Sequence, residues 1–163
     1  MTSAEAPRVR CATIEDLARL EELRTQFTFE DALEPPIVRD DYSEAFASIV
    51  GSGIETVRWT VWIAEVDGEI VSHIYVGLLK KIPRPIPGHR SIGYVTNVYT
   101  QPPQRGRGLG SVLLDHVQGW ARANDVELLL VWPSEESIEF YERVGFASGR
   151  DPLVWEQTRA AES

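Results

Sequence analysis

The sequence contains one cysteine, Cys11, among its 163 residues. A single cysteine excludes an internal disulfide framework and suits a reducing compartment, so we expect a cytoplasmic protein. No apolar run reaches the roughly 18 residues that a membrane-spanning helix needs. The opening segment, MTSAEAPRVR, lacks the apolar stretch of a signal peptide, so none is expected. Cys11 lies in the first predicted strand, where a buried thiol is favoured over a nucleophile.

Positive charge is scarce, because 16 Lys and Arg oppose 25 Asp and Glu for a formal net charge of −9. This balance argues against nucleic acid as a partner, since phosphates would be repelled. The charges are unevenly distributed: residues 80–114 contain six basic residues and no acid, whereas residues 15–44 contain ten acids and three arginines. Two solvated faces would explain this pattern. For the basic segment we favour an anion site, because it contains a run of glycines.

Hydrophobic periodicity predicts a mixed α/β fold. A strand and an amphipathic helix open the chain, with Thr13 as the predicted N-cap. A β-hairpin turns at Asp67-Gly68, SIGYVTNVYT is another strand, a helix follows Gly108, and DVELLLVW is typical of a buried strand. We expect one domain over residues 1–163, with a central mixed sheet of about six or seven strands and about four flanking helices. PLVWEQ is the last strand candidate.

The segment QPPQRGRGLGS connects a predicted strand to a predicted helix and contains three glycines at alternate positions. The N–H groups at the start of a helix lack intrahelical acceptors, and together with the helix dipole they form an anion site. The segment lacks the Gly-Lys-Ser/Thr of a P-loop and the G-x-G-x-x-G spacing of dinucleotide-binding folds. The charges of Arg105 and Arg107 favour a pyrophosphate ligand, and a purely structural tight turn is the alternative.

The pattern R-x-x-G-x-G, from Arg105 to Gly110, resembles the signature of the GNAT superfamily of acyl-CoA-dependent N-acyltransferases. The similarity extends over NVYTQPPQRGRGLGSVLLDHVQGWA and the opening VRCATIEDLARL, and SIEFYERVGF is similar to a later motif of that family. The resemblance implies a GNAT-like fold and transfer of an acetyl group from acetyl-CoA directly to an amine. No metal is expected, since His73, His89 and His116 lack metal-ligand spacing.

The resemblance also implies roles for individual residues. The pyrophosphate of acetyl-CoA would lie on the amides of residues 105–111, and its pantetheine arm would pair with the backbone of Val98 and Thr100. A bulge shaped by Asn97 would free an N–H to polarise the thioester carbonyl. Tyr141 would protonate the leaving thiolate, with a core aromatic as the alternative. The implied cofactor-binding residues are Val98, Tyr99, Thr100, Arg105, Gly106, Arg107, Gly108, Leu109, Gly110, Ser111, Ser134 and Tyr141.

Several assignments have alternatives. Ser134 stands where related proteins often have an asparagine that contacts the cofactor, and an N-cap role would also explain it. Glu30, Asp31 and Glu34 lie in the segment that usually frames the acceptor and are candidates for the general base. They could equally be solvated loop carboxylates, with a water chain acting as the base instead.

The acidic N-terminal third favours a cationic amine as acceptor, and the resemblance allows a homodimer. The alternative function is a non-catalytic acyl-CoA-binding sensor or regulatory module; a different nucleotide-binding protein is a weaker one.

Overall fold

The computed structural model describes residues 6–147, which belong to two compact units that meet in sequence between Trp132 and Pro133. The first unit contains β1 (Arg8–Cys11), α1 (Leu17–Asp31), α2 (Tyr42–Phe46), α3 (Ser52–Glu55), β2 (Trp59–Val66), β3 (Glu69–Lys80), β4 (Ser91–Thr100), α4 (Leu109–Ala123) and β5 (Val126–Val131). A π-helical turn, Ala47–Gly51, joins α2 to α3. The second unit contains α5 (Ile138–Arg143). The single domain over residues 1–163 stays a prediction.

The strands form one mixed sheet in the order β1-β2-β3-β4-β5. The first four are antiparallel neighbours, and β5 pairs parallel with β4. The predicted mixed α/β fold class is confirmed. The number of strands is a correction, since the described residues hold five where about six or seven were expected. The remaining candidate, PLVWEQ, lies outside the described residues.

The predicted hairpin joins β2 to β3. Val66 pairs with Glu69, so the turn contains only Asp67 and Gly68. Their φ angles are 51° and 82°, and a two-residue turn with positive φ at both positions matches the twist of the flanking strands. The Asp-Gly pair therefore adopts the turn that its sequence favours.

Helices pack on both faces of the sheet. Leu20 of α1 is fully buried in a cluster with Val61 of β2. Side chains alternate along a strand, so Trp62 points to the other face, where its ring centroid lies 6.1 Å from that of His116 on α4. The fully buried side chains of α4 are Leu113, Leu114 and Val117. Each such side chain stabilises the fold by about 1.5–3 kcal/mol relative to an exposed one. No helix within residues 6–147 is long and apolar enough to cross a membrane.

Cys11 lies in β1 as predicted, but it is exposed rather than buried. The expectation was wrong because β1 is the edge strand of the sheet, and an edge strand has a neighbour on one side only. Partial burial nevertheless raises the pKa of the Cys11 thiol. A thiol with a raised pKa forms little thiolate near neutral pH, which disfavours a nucleophilic role.

Candidate active site

A bulge interrupts the pairing of β4 with β3. His73 pairs with Tyr99, whereas Tyr75 pairs with Thr96. Two residues of β4 therefore oppose a single residue of β3, which defines a β-bulge. One of the two is Asn97, whose φ of 48° lies in the left-handed region. The structure thus has the bulge that was predicted beside Asn97.

Beyond the bulge, one edge of β4 has no neighbouring strand. The parallel pairing with β5 begins at Ser91, opposite Val126, and its last pair joins Val95 to Val131. In the part of the chain that the structure describes, residues 96–100 therefore have β3 on one side and no strand on the other. We call residues 96–100 the open edge of β4.

Two N–H groups point toward this open edge. The N–H of Gln101 donates to the carbonyl of Val71 on β3, at 2.9 Å. Because backbone groups alternate in direction along a strand, the N–H groups of Thr100 and Val98 point away from β3. These are the two positions that were predicted to pair with an extended pantetheine arm.

The glycine-rich segment forms a turn that leads into α4. Gly106 and Gly108 have φ angles of 75° and 76°, which residues with a side chain rarely adopt. An added Cβ at either position would meet no heavy atom within 4 Å, so the space beside the backbone is open. Among the described residues, the N–H groups of residues 106–111 have no acceptor, and the first helical bond runs from Val112 to Gly108 at 3.0 Å. We call these N–H groups the amide cradle; such a cluster binds anions.

Arg105, predicted as a phosphate ligand, is held by protein groups. Its Nε donates to the carbonyl of Thr100 at 2.9 Å, and its guanidinium forms an ion pair with Glu30. The guanidinium also lies over the ring of Tyr99, 5.7 Å from the centroid. The N–H of Arg105 donates to Pro102 at 3.2 Å. Arg105 therefore fastens the glycine segment to β4 and α1 and is not part of the amide cradle.

The remaining predicted residues of the segment differ in what they offer. Arg107 is exposed, donates to the side-chain oxygen of Gln104 and forms no ion pair within residues 6–147. The side chain of Leu109 is buried, so only its N–H faces the cradle. Gly110 and Ser111 contribute their N–H groups. Of the two arginines of the segment, Arg105 is paired with Glu30, and only Arg107 keeps a positive charge without an ion-pair partner among the described residues.

Tyr99 was predicted to contact the cofactor, but its side chain lies in the core beneath α1. Its ring stacks on Phe27 with centroids 5.2 Å apart, and its hydroxyl donates to Glu30. Burial, and then the Glu30 carboxylate, raise the pKa of Tyr99 to about 12. Burial alone would raise the pKa of Glu30, but the hydrogen bonds from Tyr99 and Arg105 outweigh it and the net pKa is lowered. Glu30 is therefore a paired carboxylate near the end of α1 and not a strong base.

His73 contacts the bulge from β3, which the sequence pattern did not indicate. Its imidazole is fully buried, and Nδ1 lies 2.8 Å from the carbonyl oxygen of Asn97. Because a carbonyl only accepts, Nδ1 carries the hydrogen. Burial lowers the pKa of His73 to about 4; the hydrogen bond to Asn97 opposes this change and the charge of Arg24 adds to it. The ring is therefore neutral near pH 7, and its Nε2 has no hydrogen-bond partner among the described residues.

The sequence signal for His73 was weak. A histidine within the apolar run IVSHIYV is expected to be buried. Its partner Asn97 lies 24 residues further along the chain, and the contact depends on the register shift at the bulge. Periodicity within one strand does not reveal which residue of a neighbouring strand it faces.

Two predicted residues belong to the second unit. Ser134 is the N-cap residue of the helical turn Glu135–Ser137, as the N-cap alternative predicted. Its hydroxyl caps no backbone N–H, however, and donates to the hydroxyl of Ser137 at 3.1 Å. Tyr141 is buried. Its ring centroid lies 5.1 Å from that of Phe140 and 5.4 Å from that of Phe146. Burial raises the pKa of Tyr141 to about 12, so the phenol is protonated at neutral pH.

The histidines and acids do not gather into a metal site in the described part of the chain. No group of three or more His, Cys, Asp or Glu within residues 6–147 is arranged to hold a metal ion. Nδ1 of His89 is hydrogen-bonded to the carboxylate of Asp125 at 2.7 Å, and Nδ1 of His116 is hydrogen-bonded to the carbonyl of Val112 at 2.9 Å. Each histidine thus has its own local partner.

The family is decided by comparison with known proteins. The model of the acetyltransferase (GNAT) family matches residues 17–146. The chain belongs to the GNAT acetyltransferase family. The match includes β4 with its bulge, the amide cradle and α5, which are the segments that carried the resemblance in the sequence. That prediction is therefore confirmed.

The names of proteins similar to this GNAT family member refer to different acceptors. Glucosamine 6-phosphate N-acetyltransferase of Trypanosoma brucei brucei is 30% identical over 86 residues, 53% of this chain and 56% of that protein. The chain therefore spans just over half the length of this curated relative. A predicted acetyltransferase from Clostridium acetobutylicum, crystallised with acetyl-CoA, has a TM-score of 0.76 at 22% identity, covering 93% of this chain and 96% of that one. An aminoglycoside acetyltransferase from an uncultured soil metagenomic sample, in complex with sisomicin, has a TM-score of 0.73 at 13% identity, covering 94% and 97%. At these identities the two structures show the fold.

Proposed function

We propose that this GNAT protein transfers an acetyl group from acetyl-CoA directly to an amine. The observation that carries the proposal is the continuity between the open edge of β4 and the amide cradle on consecutive segments of the chain. An open strand edge suits an extended arm that pairs like an added strand, and a cluster of N–H groups suits a pyrophosphate. The residues present therefore fit acetyl-CoA, which would supply the acetyl group as an activated thioester.

In this proposal, backbone N–H groups and two arginines of the chain have separate roles. The N–H groups of Val98 and Thr100 would pair with the arm and polarise the thioester carbonyl. Arg107 would add positive charge beside the cradle, while Arg105 holds the segment in place. We further expect the protein to be cytoplasmic and to act without a metal or nucleic acid, as a monomer or homodimer.

Tyr141 is the proposed proton donor for the leaving thiolate. Its raised pKa keeps the phenol protonated, so a proton is available when the thiolate forms. The same burial makes the phenol a weaker acid than usual. General acids contribute roughly 100- to 10,000-fold, and we expect Tyr141 to act near the lower limit of that range.

The proposed acceptor is a cationic amine. Residues 15–44 carry ten acids, of which several are already paired, such as Asp16 with Arg10 and Glu30 with Arg105. Glu34 and Asp40 form no ion pair within residues 6–147, so negative charge remains on the segment after α1. An amino sugar such as an aminoglycoside carries the positive charge that this segment would attract, whereas glucosamine 6-phosphate also carries an anionic group.

An acceptor screen that measures free CoA tests the function. Acetyl-CoA is offered with an aminoglycoside, glucosamine 6-phosphate, a polyamine and a peptide with a free N-terminus. We expect CoA release to be fastest with cationic amines, and a preference for neutral or anionic acceptors would reject the acceptor class. Thermal shifts with acetyl-CoA, ATP and NAD report binding separately. Acetyl-CoA binding without CoA release from any acceptor would favour the non-catalytic sensor instead.

The Tyr141→Phe variant tests the proton donor in the same assay. We expect turnover to fall about 100-fold while the Kd for acetyl-CoA stays within about twofold, because the phenol would act on the leaving group only. Turnover equal to that of the wild type would reject the role of Tyr141.

A further inference from the structure

One peptide group at the bulge is held from β3 by a histidine. The carbonyl of Asn97 and the N–H of Val98 belong to the same peptide unit, and residues 6–147 contain no cis peptide bond. In a trans peptide these two groups point in opposite directions. The Nδ1–H of His73 donates to the Asn97 carbonyl at 2.8 Å. The N–H of Val98 therefore points away from β3, toward the open edge of β4.

The same arrangement recurs two residues further along β4. The hydroxyl of Ser72 donates to the carbonyl of Tyr99 at 2.9 Å and lies 2.7 Å from the hydroxyl of Thr100. The Tyr99 carbonyl shares a peptide unit with the N–H of Thr100, which is thereby directed to the open edge as well. Two adjacent side chains of β3 thus hold the carbonyls behind the two outward N–H groups.

The His73 ring is itself held in place. Its centroid lies 5.0 Å from that of Tyr75 and 5.7 Å from that of Tyr99, and its side chain is fully buried. Asn97 has a φ of 48°, in the left-handed region, which asparagine adopts more readily than most other residues with a side chain. The hydrogen bond from His73 is the contact that holds the Asn97 carbonyl in this conformation.

We propose that His73 is a positioning residue, which aims the N–H of Val98 at the place on the open edge where the acyl carbonyl oxygen would lie. The inference rests on the proposed function, since a bound acyl group is what would accept that N–H. His73 touches no substrate and acts through the Asn97–Val98 peptide. A backbone donor stabilises developing negative charge most when its direction is set before the reaction begins.

Two substitutions of nearly identical shape separate the hydrogen bond from packing. Asn and Leu both branch at Cγ, but Asn Nδ2 can lie where imidazole Nδ1 lies and donate to Asn97. We expect His73→Leu to lower kcat about 10- to 100-fold, with the Kd for acetyl-CoA within about threefold because the amide cradle is intact. His73→Asn should recover most of that loss. Equal kcat in all three proteins, or equal losses in both variants, would overturn the proposal.

Two measurements by NMR need no turnover. Long-range proton–nitrogen correlations on labelled wild-type protein report the tautomer of His73, assigned by its loss in His73→Asn. We expect the hydrogen on Nδ1, and a hydrogen on Nε2 would overturn the proposal. During titration with acetyl-CoA, we expect the Val98 amide signal to shift in the wild type and in His73→Asn, and to shift less in His73→Leu. No shift in the wild type, or equal shifts in all three proteins, would also overturn it.

These measurements distinguish a failure of the proposed acetyl transfer from a failure of the positioning role of His73. If the wild type releases no CoA with any acceptor, the proposed function fails, and the tautomer and the Val98 signal still decide what His73 does. If His73→Leu does not fold, the tautomer and the wild-type titration remain decisive.

Discussion

Replacing Gly106 with alanine tests the amide cradle, and Gly68→Ala is its matched control. The two glycines have φ angles of 75° and 82°, and an added Cβ at either would meet no heavy atom within 4 Å. Gly106 lies in the cradle, whereas Gly68 lies in the turn between β2 and β3. The two substitutions therefore impose similar backbone strain at places with different proposed functions.

The expected loss of stability is the same for both variants. A side chain in the left-handed region costs about 1–2 kcal/mol, and the lower flexibility of alanine in the unfolded chain offsets about 0.4–1 kcal/mol of that cost. The free energy of unfolding should fall by about 1 kcal/mol, which lowers the Tm of a domain of this size by about 2–4 °C. Since no protein atom meets the new methyl group, any further effect must come from the ligand.

The expected loss of affinity differs between the variants. At Gly106 the methyl group would stand where a phosphate must approach the N–H groups. Losing one hydrogen bond to a charged group costs about 1.5–3 kcal/mol, which corresponds to a roughly 10- to 150-fold higher Kd. Gly68→Ala should bind acetyl-CoA as the wild type does, because its turn is not part of the cradle.

Calorimetric titration with acetyl-CoA and thermal unfolding of the ligand-free protein measure the two effects separately. Both variants should unfold at a lower temperature, and only Gly106→Ala should bind more weakly. Wild-type affinity in Gly106→Ala would refute the assignment of the pyrophosphate to this segment. A loss of affinity of equal size in Gly68→Ala would show that strain, and not the cradle, is responsible.

Three further predictions concern the charges and the thiol. Arg107→Gln should weaken acetyl-CoA binding by less than about tenfold at low salt and by less still at about 0.5 M salt, because exposed charges are screened; an equal loss at both salt concentrations would contradict this. Glu30→Gln should lower the Tm by up to about 4 °C near pH 7, since the contacts with Arg105 and Tyr99 are weakened. The folded-state pKa of Glu30 is lowered, so its contribution to stability is present above its unfolded pKa and is lost as the pH falls through the folded-state pKa. The Tm difference between Glu30→Gln and the wild type should therefore close at acidic pH, below the ordinary range of a glutamate pKa, and a difference that persists would indicate packing instead. Cys11→Ser should leave kcat within about twofold of the wild type, because β1 lies at the opposite edge of the sheet from β5; a large loss would indicate a covalent route.

Features that depend on neighbours in the chain were predictable. The hairpin at Asp67-Gly68 adopts the expected turn, because a two-residue connection between two strands admits few conformations. The glycine segment could be placed between β4 and α4 since strand and helix periodicities meet there. The glycine segment and the later motif around Tyr141 follow each other in the order typical of the GNAT family. This combination was specific enough to indicate the family, which the family match confirms.

Features that depend on distant residues were not predictable. Arg105 was assigned to the ligand, but its ion-pair partner Glu30 is 75 residues away. Cys11 was expected to be buried, and its exposure follows from the position of β1 at the edge of the sheet. A hydrophobicity pattern reports which face of a strand is apolar, but not where that strand lies in the sheet.

The sequence alone determined the elements, the glycine segment and the family, because turn conformation, helix starts and periodicity are properties of short stretches of chain. Only the tertiary structure decided which backbone groups remain available and which side chains hold them. The N–H of Val98 faces the open edge because β5 stops pairing at Val95 and because His73 holds the carbonyl on the other side of the peptide. Both conditions depend on the register between strands, which is set by packing over the whole sheet.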